Sequence, residues 1–166
     1  MRALFDRLIE EHGRRLFGLC LHLCACRQDA EDLYQETWLK AYRAFGRFDE
    51  GEPFEAWLTA ICVNTFRDKL RRMARRPLFD GFMSSDEKER AISEVRAPEE
   101  EDHSELIAAV RALPERYRTA VVLHYFEDKN IEKTAAMLHV PTGTVKSRLK
   151  RARELLKEVL RDENRL

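Results

Sequence analysis

Apolar side chains recur at intervals of three and four residues along most of the chain, and only six glycines and five prolines interrupt them. This spacing gathers apolar groups on one face of an α-helix, whereas a β-strand would need alternation at every second residue. The sequence therefore predicts an all-α fold. Because 44% of the 166 residues are hydrophobic, the chain can bury a sizeable core.

Three helices are predicted in the N-terminal half. The first carries an apolar stripe from Leu4 to Leu23, and the second begins with Asp29 as its N-cap and ends at Gly46. Pro53 suits the first turn of the third helix. We expect these helices to form a first small domain over residues 1–77.

The composition changes after this domain. Residues 78–105 contain three Asp and seven Glu against one Lys and two Arg, a net charge of minus seven, with few apolar residues. Such a segment favours a flexible acidic linker, placed at residues 78–103, which mild proteolysis should cut first. A second small domain is expected over residues 104–166. Its helix starts are marked by Ser104, Pro114, Asn130 and Pro141.

The end of the chain has the layout of a helix-turn-helix, with a Pro-Thr-Gly-Thr break after Val140 between a short helix and a long one. On a helical wheel Val145, Leu149 and Ala152 share one side. Residues 144–153 hold five basic and no acidic side chains. A solvated basic face is the plainer interpretation, but the preceding turn favours contact with the DNA major groove. The candidate contacts are Lys146, Ser147, Lys150 and Arg151.

A second basic surface is expected on the third helix, where residues 60–77 hold six basic residues and one acid. Asn64, Arg67 and Arg71 lie on the side away from the apolar stripe. Basic groups beside aromatic rings suit a surface that follows a nucleic-acid backbone. Trp57 lies within the apolar stripe and is assigned to the core, so Phe48 is the better candidate for stacking.

Cysteine and histidine cluster near the end of the first helix, at Cys20, His22, Cys24 and Cys26. These are zinc-ligand types, but on a continuous helix Cys20 and Cys24 share one face while the other two lie nearly opposite. The four ligands could converge only if the helix ended near Cys24. We therefore expect reduced thiols, no metal and no cofactor. The sequence shows no nucleophile together with a general base that would indicate an enzyme.

The charge and hydropathy of the sequence say more about the cellular location of the protein than about its function. The 30 basic and 30 acidic residues give a formal net charge of zero, so a nucleic-acid role must rest on the distribution of charge. No run approaches the length of a membrane-spanning helix, and the N-terminus does not resemble a signal peptide. A cytoplasmic location is expected.

Four motifs in order then resemble bacterial sigma factors of the extracytoplasmic-function branch. They are Asp29-Ala-Glu-Asp-Leu-Tyr-Gln-Glu-Thr-Trp-Leu-Lys-Ala-Tyr-Arg-Ala-Phe, Trp57-Leu-Thr-Ala-Ile-Cys-Val-Asn, Leu113-Pro-Glu-Arg-Tyr-Arg and Gly143-Thr-Val-Lys-Ser-Arg-Leu-Lys-Arg-Ala-Arg. The resemblance covers both expected domains. It implies a first domain that binds the clamp helices of RNA polymerase core and melts the minus-ten element, and a second that binds the flap and reads the minus-thirty-five element.

The same resemblance implies residue roles and partners. Asp32, Gln35 and Glu36 match the clamp-binding motif, and Asn64 matches the position that lines the pocket for a flipped minus-ten base. Ser147, Lys150 and Arg151 match the major-groove readers. The loop starting at Phe48 corresponds to a segment that helps to hold the flipped base. Promoter DNA and an anti-sigma factor are the further partners implied.

The chain departs from the family pattern at Ile131, Thr134 and His124, and in its cysteine cluster. Two other functions remain open on the residues alone. A stand-alone helix-turn-helix regulator would bind duplex DNA tightly without polymerase. A metal or redox sensor built on the cysteines would hold stoichiometric zinc or respond to thiol oxidation.

Overall fold

The computed structural model of the chain describes residues 2–75, the first unit, and residues 105–163, the second unit. The described residues contain no strand, which confirms the all-α prediction. The expected linker and the Ser104 cap lie outside these residues. The first unit consists of α1 Arg2–Leu23, α2 Arg27–Ala44, a 3-10 turn Phe45–Arg47 and α3 Phe54–Ala74. The second consists of α4 Glu105–Ala112, α5 Glu115–Val121, a π-helical turn Val122–Phe126, α6 Ile131–Leu138 and α7 Thr142–Glu163.

The first unit is a three-helix bundle in which each helix packs against the other two. Its buried side chains include Phe5, Leu16, Leu19, Leu23, Leu33, Trp38, Leu58, Val63 and Phe66. The prediction that Leu4 begins the apolar stripe was wrong, because Leu4 is 49% exposed and Phe5 is buried. Phe5 packs edge-on against Trp38 with ring centroids 5.6 Å apart.

The start of α2 also differs from the prediction. The N-cap is Cys26, not Asp29, because the chain reverses directly after Leu23 and resumes helical geometry at Arg27. Asp29 lies in the first turn, where its carboxylate is near the positive end of the helix dipole. It accepts a hydrogen bond from the Cys26 thiol at 3.2 Å. The helix ends at Ala44, two residues before the predicted Gly46.

The second unit places α4, α5 and α6 around the long helix α7. The helix expected after Pro114 changes character at Val122, where one π-helical turn replaces α-helical geometry. The helix start predicted near Asn130 is confirmed, and Asn130 is its N-cap, since its Oδ1 accepts the Lys133 backbone N–H at 2.8 Å. No helix in either described unit is long and apolar enough to span a membrane.

The two units pack against one another. Helix α1 contacts α4, α5 and the π-helical turn, and α3 contacts α6. The buried side chains of both units form one contiguous apolar cluster. The two basic surfaces predicted from the sequence therefore belong to units that touch.

Candidate nucleic-acid interface

Helix α7 divides its side chains between core and solvent as the helical wheel predicts. Val145, Leu149 and Ala152 are buried. The candidate DNA contacts Lys146, Ser147, Lys150 and Arg151 are all exposed. The outer face of this helix therefore offers donors to a nucleic acid without disturbing the packing beneath it.

Two of these exposed side chains have local partners. Ser147 Oγ donates to the Thr144 carbonyl at 2.9 Å, and Arg151 Nη1 lies 3.2 Å from Glu154 Oε2. Both interactions are on the surface, where an ion pair contributes only up to about 1 kcal/mol. Either side chain can exchange its partner for a base or a phosphate at a small cost in free energy.

The turn before α7 lies earlier than the sequence indicated. It is formed by residues 139–141, and α7 begins directly after Pro141, as predicted. Of the Pro-Thr-Gly-Thr segment only Pro141 lies in the break, since the other three residues belong to the first turn of α7. His139 adopts left-handed geometry with φ 54°. Its N–H donates to the Ala136 carbonyl and the Val140 N–H donates to the Ala135 carbonyl, which is the Schellman pattern of helix termination.

The positions that depart from the family pattern pack into this motif. Thr134 is fully buried, and its Oγ1 donates to the Lys129 carbonyl at 3.5 Å. The Nδ1 of His124 lies 2.8 Å from the same carbonyl oxygen. Ile131 is half-buried against the core. These side chains hold the start of α6 in place under α7.

The outer face of α3 carries the second basic surface. Asn64 and Arg71 are exposed, and Arg71 is paired with Asp68 at 3.6 Å. Arg67 is half-buried, and its burial together with the positive charge of Arg71 lowers the pKa of its guanidinium. The positive charge of Arg148 on α7 acts on this pKa in the same direction.

Phe48 does not project freely from its loop. Its ring lies 6.1 Å from Phe45 in a near-parallel stack, 5.4 Å from Phe54 and 5.0 Å from Trp57. Trp57, which was assigned to the core, is only half-buried and lies at the edge of it. The loop residue thus joins an aromatic cluster, and one side of this cluster faces solvent beside α3.

The expected polymerase-binding residues lie on α2, where Asp32 and Gln35 are exposed and Glu36 is half-buried. Burial alone would raise the pKa of Glu36, but Lys40 at 3.4 Å and Lys69 at 3.5 Å hold the pKa below its usual value. Asp32 and Glu36 line one side of a groove of about 280 Å³ between α2 and α3. The groove residues are Cys24, Asp29, Asp32, Glu36, Phe66, Lys69, Leu70, Arg72 and Met73.

One residue of structural importance was missed in the sequence. Arg118 ends the Leu113-Pro-Glu-Arg-Tyr-Arg motif, is 3% exposed, and donates from Nη1 to the carbonyls of Arg111 and Leu113. Its guanidinium also lies 5.8 Å from the Phe66 ring centroid of the first unit. The sequence signal that could have identified it is the position of Arg118 directly before Thr119 and the apolar run at residues 120–123.

The cysteine cluster has separate environments. Helix α1 ends at Leu23, yet the four side chains do not converge: Cys20 Sγ lies 3.7 Å from Cys62 Sγ, Cys26 donates to Asp29, and the ring of His22 packs on Phe126. The hydrogen bond that Cys20 shares with Cys62, together with burial, raises the pKa of the Cys20 thiol. Across residues 2–75 and 105–163, no group of three or more His, Cys, Asp and Glu side chains could hold a metal ion.

Two family descriptions match this chain. Sigma-70 region 2 matches residues 8–76, and Sigma-70, region 4 matches residues 103–156. The RNA polymerase sigma-H factor of Pseudomonas aeruginosa is 33% identical over 96% of this chain and 87% of its own length. The ECF RNA polymerase sigma factor SigM of Mycobacterium tuberculosis is 35% identical over 96% of this chain and 78% of its own length.

A solved structure is similar over nearly the whole chain. It is the sigma factor RpoE from Bartonella quintana in complex with the anti-sigma factor NepR. The superposition gives a TM-score of 0.70 at 26% identity and covers 95% of this chain and 96% of that one.

Proposed function

The chain belongs to the extracytoplasmic-function branch of the bacterial RNA polymerase sigma factor family, and we propose that it binds core RNA polymerase, directs it to promoters and opens them. Members of this family are transcription initiation factors rather than catalysts. Core polymerase acts in the cytoplasm, and the proposed role places this chain there.

The observation that carries the proposal is the division of α7. Three apolar side chains of the helix are buried in the second unit, while Ser147, Lys150 and Arg151 remain exposed on its first turns. The first turns of a recognition helix are the part that enters the major groove, where Arg and Lys pair with guanine N7 and O6. We assign this face, with Lys146, to the minus-thirty-five element.

We assign the outer face of α3 to the minus-ten element. Asn64 offers an amide carbonyl and two N–H donors, which can pair with the Watson–Crick edge of an extruded base. Arg67 and Arg71 can hold the adjoining phosphates. Phe48 packs against Trp57 of the same helix, and these rings are suited to contact an unstacked base.

We assign the α2 face to the polymerase clamp, through Asp32, Gln35 and Glu36. The first two side chains are exposed and can form intermolecular contacts directly. Glu36 also joins α2 to α3 through Lys69 and Arg72, both about 3.5 Å away or closer. It therefore keeps the clamp-binding helix in register with the helix that carries Asn64.

We further propose that an anti-sigma factor regulates this chain and that residues 78–103 connect the two promoter-reading domains. The similar structure of RpoE is a complex with the anti-sigma factor NepR, which supports the first part. Two weak DNA-binding domains held by one polymerase gain affinity for the promoter from effective concentration. Neither domain therefore needs to recognise a promoter alone.

The test is reconstituted transcription with bacterial core polymerase and a library of promoter-length templates. The wild-type chain should initiate at a consistent promoter class, and Lys150→Ala and Arg151→Ala should each weaken promoter use by roughly 1–3 kcal/mol while leaving polymerase binding intact. Arg161→Ala, at the far exposed end of the same helix, is the matched control. Tight duplex binding without polymerase, and no stimulation of polymerase, would favour a stand-alone regulator.

A further inference from the structure

A second cavity, the basic pocket, lies between α2 and α3 beside the groove described above. It has a volume of about 430 Å³, and its lining residues are Glu36, Lys40, Asp68, Arg71, Arg72 and Arg75. Four of these side chains are cations and two are carboxylates, so the pocket carries a surplus of positive charge. Such a concave, positively charged surface attracts anions.

Glu36 is the carboxylate around which the cations gather. Its Oε1 lies 3.4 Å from both Lys40 Nζ and Arg72 Nη2. Its Oε2 lies 3.5 Å from Lys69 Nζ. One carboxylate therefore faces three cations and balances the charge of only one. The distances also exceed the roughly 2.7–2.9 Å of a close charged hydrogen bond, so Lys40 and Arg72 keep the capacity to bind another anion.

The cations of the pocket are open to solvent. The side chains of Lys40 and Arg72 are 39% and 63% exposed, and Arg75 is exposed as well. Ion pairs at this exposure are weak, because water screens the charges and side-chain entropy opposes a fixed geometry. A phosphate group can therefore take the place of the Glu36 carboxylate.

The pocket continues the surface that carries Asn64. Residues 64, 71 and 75 are spaced by seven and four positions, so Asn64, Arg71 and Arg75 share one face of α3 and its C-cap. At 1.5 Å per residue, Arg75 lies about 16 Å along the helix from Asn64. One strand of B-form DNA advances about 3.4 Å per phosphate, so several successive nucleotides span this length. A strand whose base reaches Asn64 can place its neighbouring phosphates in the pocket.

From this arrangement we propose that the basic pocket binds backbone phosphates of the single DNA strand whose extruded base lies at Asn64. Lys40, Arg72 and Arg75 are the phosphate ligands, and a phosphate displaces Glu36 from two of them. Arginine binds a phosphate through two parallel N–H donors, and lysine binds it as a point charge. The contact carries no sequence information. The identity of the strand rests on the proposed promoter-opening function, whereas the affinity for phosphate does not.

The first experiment measures binding of the free full chain to a fluorescent single-stranded oligonucleotide of random sequence by anisotropy, over a range of salt concentrations. Lys40→Ala and Arg72→Ala should each weaken binding by about threefold to tenfold at low salt, since each removes one phosphate contact. Each should also reduce the slope of log affinity against log salt concentration by about 0.7, the value for one contact to a single strand.

The matched controls for this experiment are Lys157→Ala and Arg161→Ala, which remove exposed cations from the distal half of α7. Both should keep the wild-type affinity and salt slope. Unchanged binding of Lys40→Ala and Arg72→Ala would overturn the site. Equal losses in the controls would overturn it too, because they would show a diffuse effect of net charge.

The second experiment removes the competing carboxylate. Glu36→Gln keeps the shape of the side chain and should tighten oligonucleotide binding by at least about threefold, because like charge near a bound phosphate is lost. Glu31→Gln makes the same charge change on α2, where Glu31 is exposed and paired with Arg27 at 3.0 Å. It should bind as the wild type does. The double variant Glu36→Gln/Arg72→Ala should lose the gain, and an equal gain in Glu31→Gln would contradict the displacement.

A small polyanion is the other source of phosphate oxygens, and inorganic triphosphate is the probe for it. Triphosphate cannot also reach Asn64 and Arg71, so it should compete poorly with the labelled oligonucleotide at an equal concentration of phosphate groups. If it displaces the label at a lower phosphate concentration than unlabelled oligonucleotide does, the pocket takes a small polyanion and the assignment to DNA is wrong.

This proposal and the sigma function fail in different ways, because the oligonucleotide assays contain no polymerase. If the pocket variants lose affinity for the oligonucleotide as expected but the wild type does not stimulate core polymerase, the sigma function falls and the phosphate site stands. If the wild type initiates transcription but the pocket variants bind the oligonucleotide as it does, the sigma function stands and the phosphate site is wrong.

Discussion

Arg118 Nη1 donates to the Leu113 carbonyl at 2.9 Å across the junction between α4 and α5. The same atom also reaches the Arg111 carbonyl, so one buried guanidinium satisfies two backbone acceptors at a helix end. The charge is held by hydrogen bonds and by the Phe66 ring at 5.8 Å. This junction orients α4 and α5 relative to α7.

Replacement of Arg118 by leucine should lower the free energy of unfolding by about 2–4 kcal/mol, because a buried and a partly buried carbonyl lose their donor. Urea denaturation followed by circular dichroism measures this change. Arg161→Leu removes an exposed arginine from α7 and should change stability by less than about 0.5 kcal/mol. Equal stability of the two variants would show that Arg118 does not anchor the junction.

His139→Gly should raise the free energy of unfolding by roughly 0.5–1 kcal/mol. The left-handed geometry at φ 54° costs a side-chain-bearing residue about 1–2 kcal/mol, and the extra backbone entropy of glycine offsets part of the gain. His139→Ala keeps the Cβ and should bring no such gain. Thermal unfolding of the three proteins decides between these outcomes, and a stabilised alanine variant would point to a cause other than the backbone.

Asn64→Ala should fold, bind polymerase and still reach the minus-thirty-five element, yet open promoters poorly. Its side chain is exposed, so the stability change should stay within about 0.5 kcal/mol. A premelted template should restore part of the activity, because the cost of unpairing the base has been removed. Gln28→Ala removes another exposed amide of the first unit and serves as control. Wild-type activity of Asn64→Ala on duplex and premelted templates alike would exclude the assignment.

Glu127 carries a pH dependence whose sign follows from its burial. Desolvation raises the pKa of this carboxyl, and the attraction of Arg15 and Lys129 does not fully compensate. The charged and titratable groups that surround it are Arg15, Lys129, Glu55, Asp128 and His12. A native pKa above the unfolded value means that protonation favours the native state.

The contribution of Glu127 to stability should therefore be complete below its ordinary pKa and be lost as pH rises through its raised native pKa. The glutamine side chain of the Glu127→Gln variant is neutral at every pH, so the variant lacks this pH-dependent contribution to stability. The wild-type free energy of unfolding, minus that of the variant, should decrease as the pH rises above the ordinary pKa of a glutamate, about 4.5. Urea titrations at four pH values measure it. A difference that is constant or increases with pH would contradict the assignment.

The four thiols should react unequally. Cys20, Cys24 and Cys62 are buried, whereas Cys26 is half-buried at the start of α2. A thiol reagent should modify Cys26 first in native protein, and the others only on unfolding. Cys26→Ser should retain activity, and purified protein should contain no stoichiometric zinc. One zinc per chain by metal analysis would support the sensor alternative instead.

The sequence by itself determined the helices and the outward faces. Spacing at three and four residues is a local property of an α-helix, so the helical wheel alone places Val145 and Leu149 inside and Lys150 and Arg151 outside. The cap at Asn130 is predictable for the same reason. Its hydrogen bond spans only three residues.

Tertiary structure decided what local pattern cannot encode. Phe5 replaced Leu4 in the core because rings from α2 surround it, and Phe48 lies within an aromatic cluster assembled from two helices. The left-handed residue at the end of α6 is His139 and not a glycine, so the sequence does not mark this turn. The contact between Arg15 and Glu127 joins residues 112 positions apart. Long-range contacts depend on how completed helices pack, so periodicity along the chain carries no signal for them.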